Sequence, residues 1–272
     1  MGALDGKVAL ITGAARGQGR SHALRLARDG ADIIAVDVCA PLATTGYPLA
    51  TPEDLAQTVA QVEALDRRIV ATVADVRDAV ALAAAVAAGV EQLGGLDIVL
   101  ANAGIGVASP DAPRADAFRE QLDVNLVGVW NTVHAAVPAL RATGRGGSIV
   151  VTSSVMGLSG RAGGGDAGTE GYVAAKHAVI GLVRSWARWL APDNIRVNAL
   201  LPSGTRTPMI VNEAVESLFP NPPEHGSDVG NLLDVLMLEP EDVSNAVAWL
   251  VSDGARFVTG VALPVDAGFL TP

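Results

Sequence analysis

The chain has a single cysteine, Cys39, so no intrachain disulfide can form and a reducing cytoplasm is the expected setting. Histidines are nearly as scarce: His22, His134, His177 and His225 are scattered with no ligand spacing, and no metal is expected. Basic residues are outnumbered, 19 Lys and Arg against 29 Asp and Glu. The resulting formal charge of −10 repels phosphate backbones and argues against a general nucleic-acid partner. No apolar run is long enough to span a bilayer; the longest, VALAAAVAAGV at 80–90, is alanine-rich and flanked by charge. The opening MGALDGKVALITGAARG has too short an apolar stretch for a signal peptide, and Gly6 stands where a myristoylation site wants Ser or Thr. Repeats and low-complexity tracts are also missing. A soluble protein is expected, with neither a membrane nor a nucleic acid as partner.

What is present is globular: half of the 272 residues are apolar, with 30 Gly and 15 Pro for turns. Short β-branched runs alternate with helical patterns. KVALIT (7–12), ADIIAVD (31–37), RRIVATVAD (67–75), LDIVLANAG (96–104), GSIVVTSS (147–154), IRVNALLP (195–202) and VALPVDAG (261–268) read as strands. Helices are expected over 20–30, 52–65 and 78–93, then up to about Thr143, and over 172–191 and 240–253. Thr51 reads as an N-cap, with Pro52 at the first helical position and Asp54 three residues on. Such alternation predicts the α/β class: one Rossmann-type domain over 1–272, a doubly wound parallel sheet flanked by helices. Insertions near 39–52 and 160–170 and a long segment near 203–239 break the rhythm, and the last is expected to be a substrate lid.

The loop TGAARGQG (12–19) joins the first strand to the first helix, carrying Gly13, Arg16, Gly17, Gln18 and Gly19. Glycines here let the backbone turn sharply and approach a pyrophosphate at the positive end of the helix. Alone, the triplet suits a structural turn equally well; its place after the first strand favours a dinucleotide. Asp37 ends the second strand 18 residues after Gly19, where a carboxylate can accept bonds from the adenosine ribose hydroxyls. A 2′-phosphate would be repelled there, which outweighs the opposite pull of Arg16 and makes NAD the expected cofactor rather than NADP.

Tyr172 and Lys176 lie one helical turn apart in GTEGYVAAKHAVIGL. A free phenol, with a pKa near 10, is a poor base at neutral pH. An ammonium about 4 Å away contributes roughly 4 kcal/mol at an effective dielectric of 20, enough to lower that pKa by about three units. A half-buried tyrosine with a lysine running past it would explain the isolated pair as well. The company decides: Ser153 and Ser154 end a strand at the same edge of the sheet as the glycine loop and the ANAG turn.

Over essentially its whole length the chain resembles the short-chain dehydrogenase/reductase family, through TGAARGQG, Asp75-Val76, ANAG, Asn125 in VNLVG, the serine pair, YVAAK and Asn198 in VNALLP. The resemblance implies that Tyr172 is the catalytic acid/base and that Lys176 lowers its pKa and holds the nicotinamide ribose. Ser154 would bond the substrate oxygen, and Asn125 would anchor a water leading from Lys176 to solvent. Asp75, beside Val76, would contact the adenine, and Asn102, Ala103 and Gly104 would hold the fourth-strand turn against the cofactor. Pro202, Thr205 and Thr207 complete the expected cofactor contacts, Thr207 reaching the carboxamide; Met209, Ile210, Leu218 and Phe219 join the two threonines as candidate substrate lining.

Three departures from the family pattern stand out. Ala101 replaces a usual Asn, Ser203 follows Pro202 where glycine is common, and Ser154 and Tyr172 are 18 apart. The insert GRAGGGDAGTEG must loop out for them to meet; otherwise Ser153 or Ser159 takes the serine's place. The loop GAARGQGRSHA and both insertions resemble the mycofactocin-associated, carveol dehydrogenase-like subgroup. That implies NAD bound tightly between turnovers, a secondary alcohol or its ketone as substrate, and a separate redox carrier. Trp130, Trp186 and Trp189 fall on helices that form subunit contacts in the family, so a homotetramer is expected. An NADPH-dependent ketone reductase and a non-catalytic NAD-sensing regulator are the alternatives.

Overall fold

Five successive residues with no polar interruption until Thr12 make β1 (Val8–Thr12), and every one of them is buried. The same apolar continuity builds β2 (Asp32–Asp37), β3 (Ile69–Val73), β4 (Ile98–Ala101), β5 (Gly147–Thr152), β6 (Ile195–Pro202) and β7 (Ala262–Val265). The computed structural model describes residues 2–160, 165–218 and 230–271. Its strands form one seven-stranded sheet in the order β3-β2-β1-β4-β5-β6-β7, with every pairing parallel. The order reverses between β1 and β4, which opens a crevice beyond their carboxyl ends.

The helices are α1 (Gly17–Arg28), α2 (Pro52–Glu63), α3 (Ala79–Leu93), α4 (Arg114–Leu122), α5 (Gly128–Thr143), α6 (Ala167–Leu190), α7 (Glu213–Leu218) and α8 (Pro240–Val251). Side-chain alternation splits the core into two layers. Leu10, Val99, Ile149 and Val197 pack on one face with Leu82, Val133 and Val183 of α3, α5 and α6. Ile11, Ile33, Leu100 and Val150 pack on the other with Leu26, Val247 and Leu250 of α1 and α8. Among the described residues, no helix is long and apolar enough to cross a membrane.

The local signals act as their chemistry requires. Thr51 and Asp54 exchange side-chain-to-backbone bonds at the start of α2, with Pro52 at the first position. Two elements differ from the sequence expectation. The helical stretch before Thr143 is broken by a π turn at Asp123–Val127, which widens the helix at Asn125. The tyrosine helix starts at Ala167, well before Tyr172, because Asp166 caps it by accepting from the Thr169 amide at 2.7 Å. The rear of the glycine-rich insert, from Ala167 on, therefore belongs to the helix, and positions 161–164 lie outside the described residues.

Candidate active site

The glycine loop is shaped by contacts that exclude side chains. Gly13 has φ +69°, and a Cβ there would lie 2.9 Å from the Ala103 Cα. A Cβ on Gly19 would lie 1.9 Å from the Gly13 carbonyl oxygen, so the first turn of α1 can close on the loop only with glycine. Arg16, at the N-cap of α1, provides no side-chain cap, and the first turn carries no acid. The leading amides of α1 are thus left for an external anion, beside a cavity of about 1320 Å³ lined by Gly13, Arg16, Gly17, Gln18 and Gly19.

Asp37 lines the same cavity and also ties the loop: its carboxylate accepts from the Ala15 amide at 2.9 Å and the Cys39 amide at 3.1 Å. Asn102 joins three strand ends, donating to the Thr12 carbonyl at 3.0 Å and accepting from the Thr152 hydroxyl at 3.3 Å. Thr12 receives the amides of Asn102 and Ala103, each at 3.2 Å. Val76, Ala103, Gly104 and Pro202 complete this wall, and the methyl side of Thr207 packs over Gly17. Thr205 is buried, its hydroxyl spent on the Ser203 carbonyl at 3.0 Å.

Two side chains are committed to partners that their motifs do not reveal. Arg16 donates one of its guanidinium N–H groups to the Pro48 carbonyl in the enlarged loop. Asp75 is gripped by Arg77 at 2.6 Å, and Arg77 also pairs with Glu120 at 2.9 Å. Burial alone would raise the Asp75 carboxyl, but the Arg77 bonds outweigh it and hold the group below its ordinary range.

The second cluster lies in the same cavity. Ser154 begins the turn after β5, its hydroxyl accepting from the Met156 amide at 3.1 Å, and it lines the same cavity as Tyr172, near enough to act on the phenol's pKa across the insert. Ser153 is not an equivalent candidate: its hydroxyl is buried and donates to the Lys176 carbonyl at 2.8 Å. Ser159 is buried as well. Lys176 lies 5.4 Å from the centroid of the Tyr172 ring, but its Nζ donates to the Thr152 carbonyl at 2.8 Å.

The electrostatics correct the simple expectation of a lowered phenol. Burial raises the Tyr172 pKa, and Ser154 opposes that only in part. Burial also lowers Lys176, to about 8, because an ammonium without a carboxylate partner is costly away from water. Asn125 reaches the cavity wall with its amide already engaged. It clamps the Ile105 backbone, accepting at 3.1 Å and donating at 3.0 Å, with a further bond to Gln121 at 2.7 Å.

Several neighbours of the site are not among the residues expected there. Thr12, Gln121 and Tyr47 each hold a turn of the cavity, yet the sequence assigns none of them a role; Thr12 stands in the glycine-loop motif, and the other two lie outside the motifs. Tyr47 is the one with an available signal, since the chain has two tyrosines and the other is Tyr172. Of the expected substrate lining, Met209 and Ile210 face the cavity with Thr205 and Thr207. Phe219 and the Leu218 side chain lie outside the described residues. An NAD molecule fits what is present: a glycine cradle that a Cβ would fill, uncapped helix amides, a strand-end carboxylate and the buried, unpartnered Gln18 Oε1 beside them.

Residues 13–270 match the profile of the family described as Enoyl-(Acyl carrier protein) reductase. A (−)-trans-carveol dehydrogenase of Rhodococcus erythropolis is 50% identical over 279 residues, covering 98% of this chain and 99% of that protein. The chain belongs to the short-chain dehydrogenase/reductase family. Within it, an uncharacterized oxidoreductase of Mycobacterium tuberculosis is 53% identical, covering 98% of this chain and 97% of that one. The crystal structure of carveol dehydrogenase from Mycobacterium avium in complex with NAD superposes with a TM-score of 0.91 at 50% identity, over 100% of both chains.

Proposed function

We propose that the protein interconverts a neutral, largely apolar secondary alcohol and its ketone, with Tyr172 as acid/base. The chain is an NAD-dependent oxidoreductase, and the observation that carries the finer reading is that Ser154, Tyr172 and Lys176 line the same cavity as the glycine loop. An alcohol oxygen seated between Ser154 and Tyr172 takes a hydrogen bond from Ser154 and gives its proton to the Tyr172 oxygen. The bound cofactor supplies the ring that accepts the carbinol hydride and, when oxidised, a positive charge. Lys176 steadies the site from below: anchored on Thr152, it holds the end of β5, from which Ser154 follows. Gly13, Gly19, Asp37 and Asn102 would hold the dinucleotide, the Asp37 carboxylate disfavouring a 2′-phosphate.

The substrate side supports a neutral alcohol. Its wall includes Val107, Met156, Val173, Met209, Ile210 and Leu236, with Asp166, Glu216 and Asp234 as its carboxylates. From Thr207 to Ala255 the sequence has no Lys or Arg at all. Such an entrance suits an uncharged terpenoid-like alcohol better than an anionic carrier thioester, in keeping with the likeness to carveol dehydrogenases. The 39–50 segment adds Leu42, Tyr47 and Leu49 to the cavity wall, a cover that favours NAD retained between turnovers and reoxidised by a separate redox carrier. Exposed Trp130 and Trp189, with His134 stacked between them at 3.9 and 5.5 Å, offer a face for assembly as a homotetramer.

The purified protein should carry NAD that dialysis does not remove. The Tyr172→Phe variant should keep that NAD while turnover on secondary alcohols drops by about 10³-fold, within the range expected for losing a general acid/base. Activity within tenfold of the unaltered protein would remove Tyr172 from the proton transfer.

A further inference from the structure

The chain's other tyrosine lies in the same cavity as Tyr172, and the proposed reaction leaves it without a task. Tyr47 comes from the enlarged loop between β2 and α2, and that loop is latched at several points. The Glu120 carboxylate accepts from the Thr44 amide at 3.0 Å, the Gly46 amide donates to the Val107 carbonyl at 3.0 Å, and the Ser109 amide donates to the Thr44 carbonyl at 2.7 Å. With its backbone so held, the Tyr47 side chain is 6% exposed, and its oxygen accepts from the Gly106 amide at 3.0 Å. A Cβ built on Gly106 would lie 3.0 Å from the Met209 Cγ and 3.9 Å from the Tyr47 oxygen. Loop, β4 turn and lid therefore meet at this hydroxyl.

A phenol offers one proton and two lone pairs. The Gly106 amide takes one lone pair, and among the described residues nothing accepts the proton. Leaving a buried donor unmatched costs about 1–3 kcal/mol, so a group placed this way is matched by something that enters the cavity. Burial, opposed in part by the Gly106 bond, pushes the phenol up to about 12, so it stays protonated and does not compete with Tyr172 as a base. The proposed reacting oxygen already has Ser154 and Tyr172, whereas the Tyr47 oxygen is held by the Gly106 amide, on the turn that Met209 also meets.

We propose that Tyr47 is a specificity-determining residue that donates a hydrogen bond to a second acceptor oxygen on the substrate, remote from the reacting carbinol. The favoured substrate is then an apolar alcohol that carries an additional ether, hydroxyl or carbonyl oxygen. This inference rests on the alcohol dehydrogenase reading.

The test compares 3- and 4-methoxycyclohexanol with the matching methylcyclohexanols, using the full chain with NAD. The unaltered protein should prefer at least one methoxy alcohol by about fivefold to tenfold in kcat/KM, the worth of a hydrogen bond of about 1 kcal/mol. Tyr47→Phe should erase that preference, so that each methoxy alcohol and its methyl counterpart react within about twofold of one another. A preference that is absent from the unaltered protein, or that survives in Tyr47→Phe, overturns the proposal. So does an equal fall for both alcohols accompanied by weaker NAD binding, which would make Tyr47 a latch for its loop. Should Tyr47→Phe melt early, Tyr47→His, which keeps a ring and a donor, carries the same comparison and should retain part of the preference. Failure of the unaltered protein to oxidise any of the four alcohols sinks the parent reading, and this inference with it.

Discussion

The two halves of the cavity are built from different materials. Around the glycine loop the wall is backbone: the Gly19 Cα rests against the Gly13 carbonyl, Gly13 against Ala103, and Asp37 and Asn102 lock the strand ends by bonds to main-chain groups. Around the described part of the 203–239 segment the wall is side chains, Met209, Ile210 and Leu236 among them, with Val211, Leu233 and Leu236 still substantially exposed. A backbone wall tolerates almost no change in shape, because a Cβ has nowhere to go. A side-chain wall can repack at modest cost. The half that binds a dinucleotide is thus held to one geometry, and the half facing the variable partner is free to differ.

The hardest blow to that contrast is Gly19→Ala. With its new Cβ 1.9 Å from the Gly13 oxygen, the loop must move, and NAD affinity should fall by about 100-fold, equivalent to about 3 kcal/mol. Calorimetric titration of the folded variant measures it. A loss below threefold would show that the loop does not form the cradle.

The same contrast explains which features are legible in the amino-acid sequence. Strand order, the glycine turn and the Asp37 position follow from rules of backbone geometry, and only glycine or a strand-end carboxylate satisfies them, so they stand out as residue types. The lid contacts do not, since Met209 or Leu236 is chemically indistinguishable from core until its surroundings are known. Side-chain partners are equally hidden. Nothing in YVAAK tells that Lys176 gives its hydrogen bond to Thr152, or that Asn125 turns inward to Ile105 because a π turn widens its helix. The glycines of the insert before Tyr172 suggest a single loop, yet Asp166 caps a helix that already includes GTEG.

The pH dependence of the proposed alcohol oxidation tests whether burial governs Tyr172 and Lys176. In the proposed reaction Tyr172 must be deprotonated to accept the proton, and burial moves its pKa upward, so the active form should grow as pH rises. The profile of kcat/KM should climb by about tenfold per unit through the neutral range, as for a single essential base still below its pKa. Lys176, lowered to about 8, loses its charge at the alkaline end of that climb, where the slope should lessen. A flat profile between pH 6 and 8 would mean that the phenol is already ionised there, or that another group takes the proton.

The smallest effect probes the lid, where charge, not shape, makes the distinction. Neutralising two entrance carboxylates with Glu216→Gln and Asp234→Asn should raise kcat/KM for a hydroxy acid by a few-fold and leave its uncharged analogue within twofold. A carboxylate about 8 Å from an incoming anion in water repels it by only about 0.5 kcal/mol, so two of them add up to roughly a fivefold change. Because both side chains are exposed, salt screens the effect: at about 1 M ionic strength the Debye length shrinks to about 3 Å, and variant and unaltered protein should converge. If the gain persists at high salt, the substitutions act by reshaping the wall. The lid would then share the steric strictness of the glycine loop, and the division between the two halves would lie elsewhere.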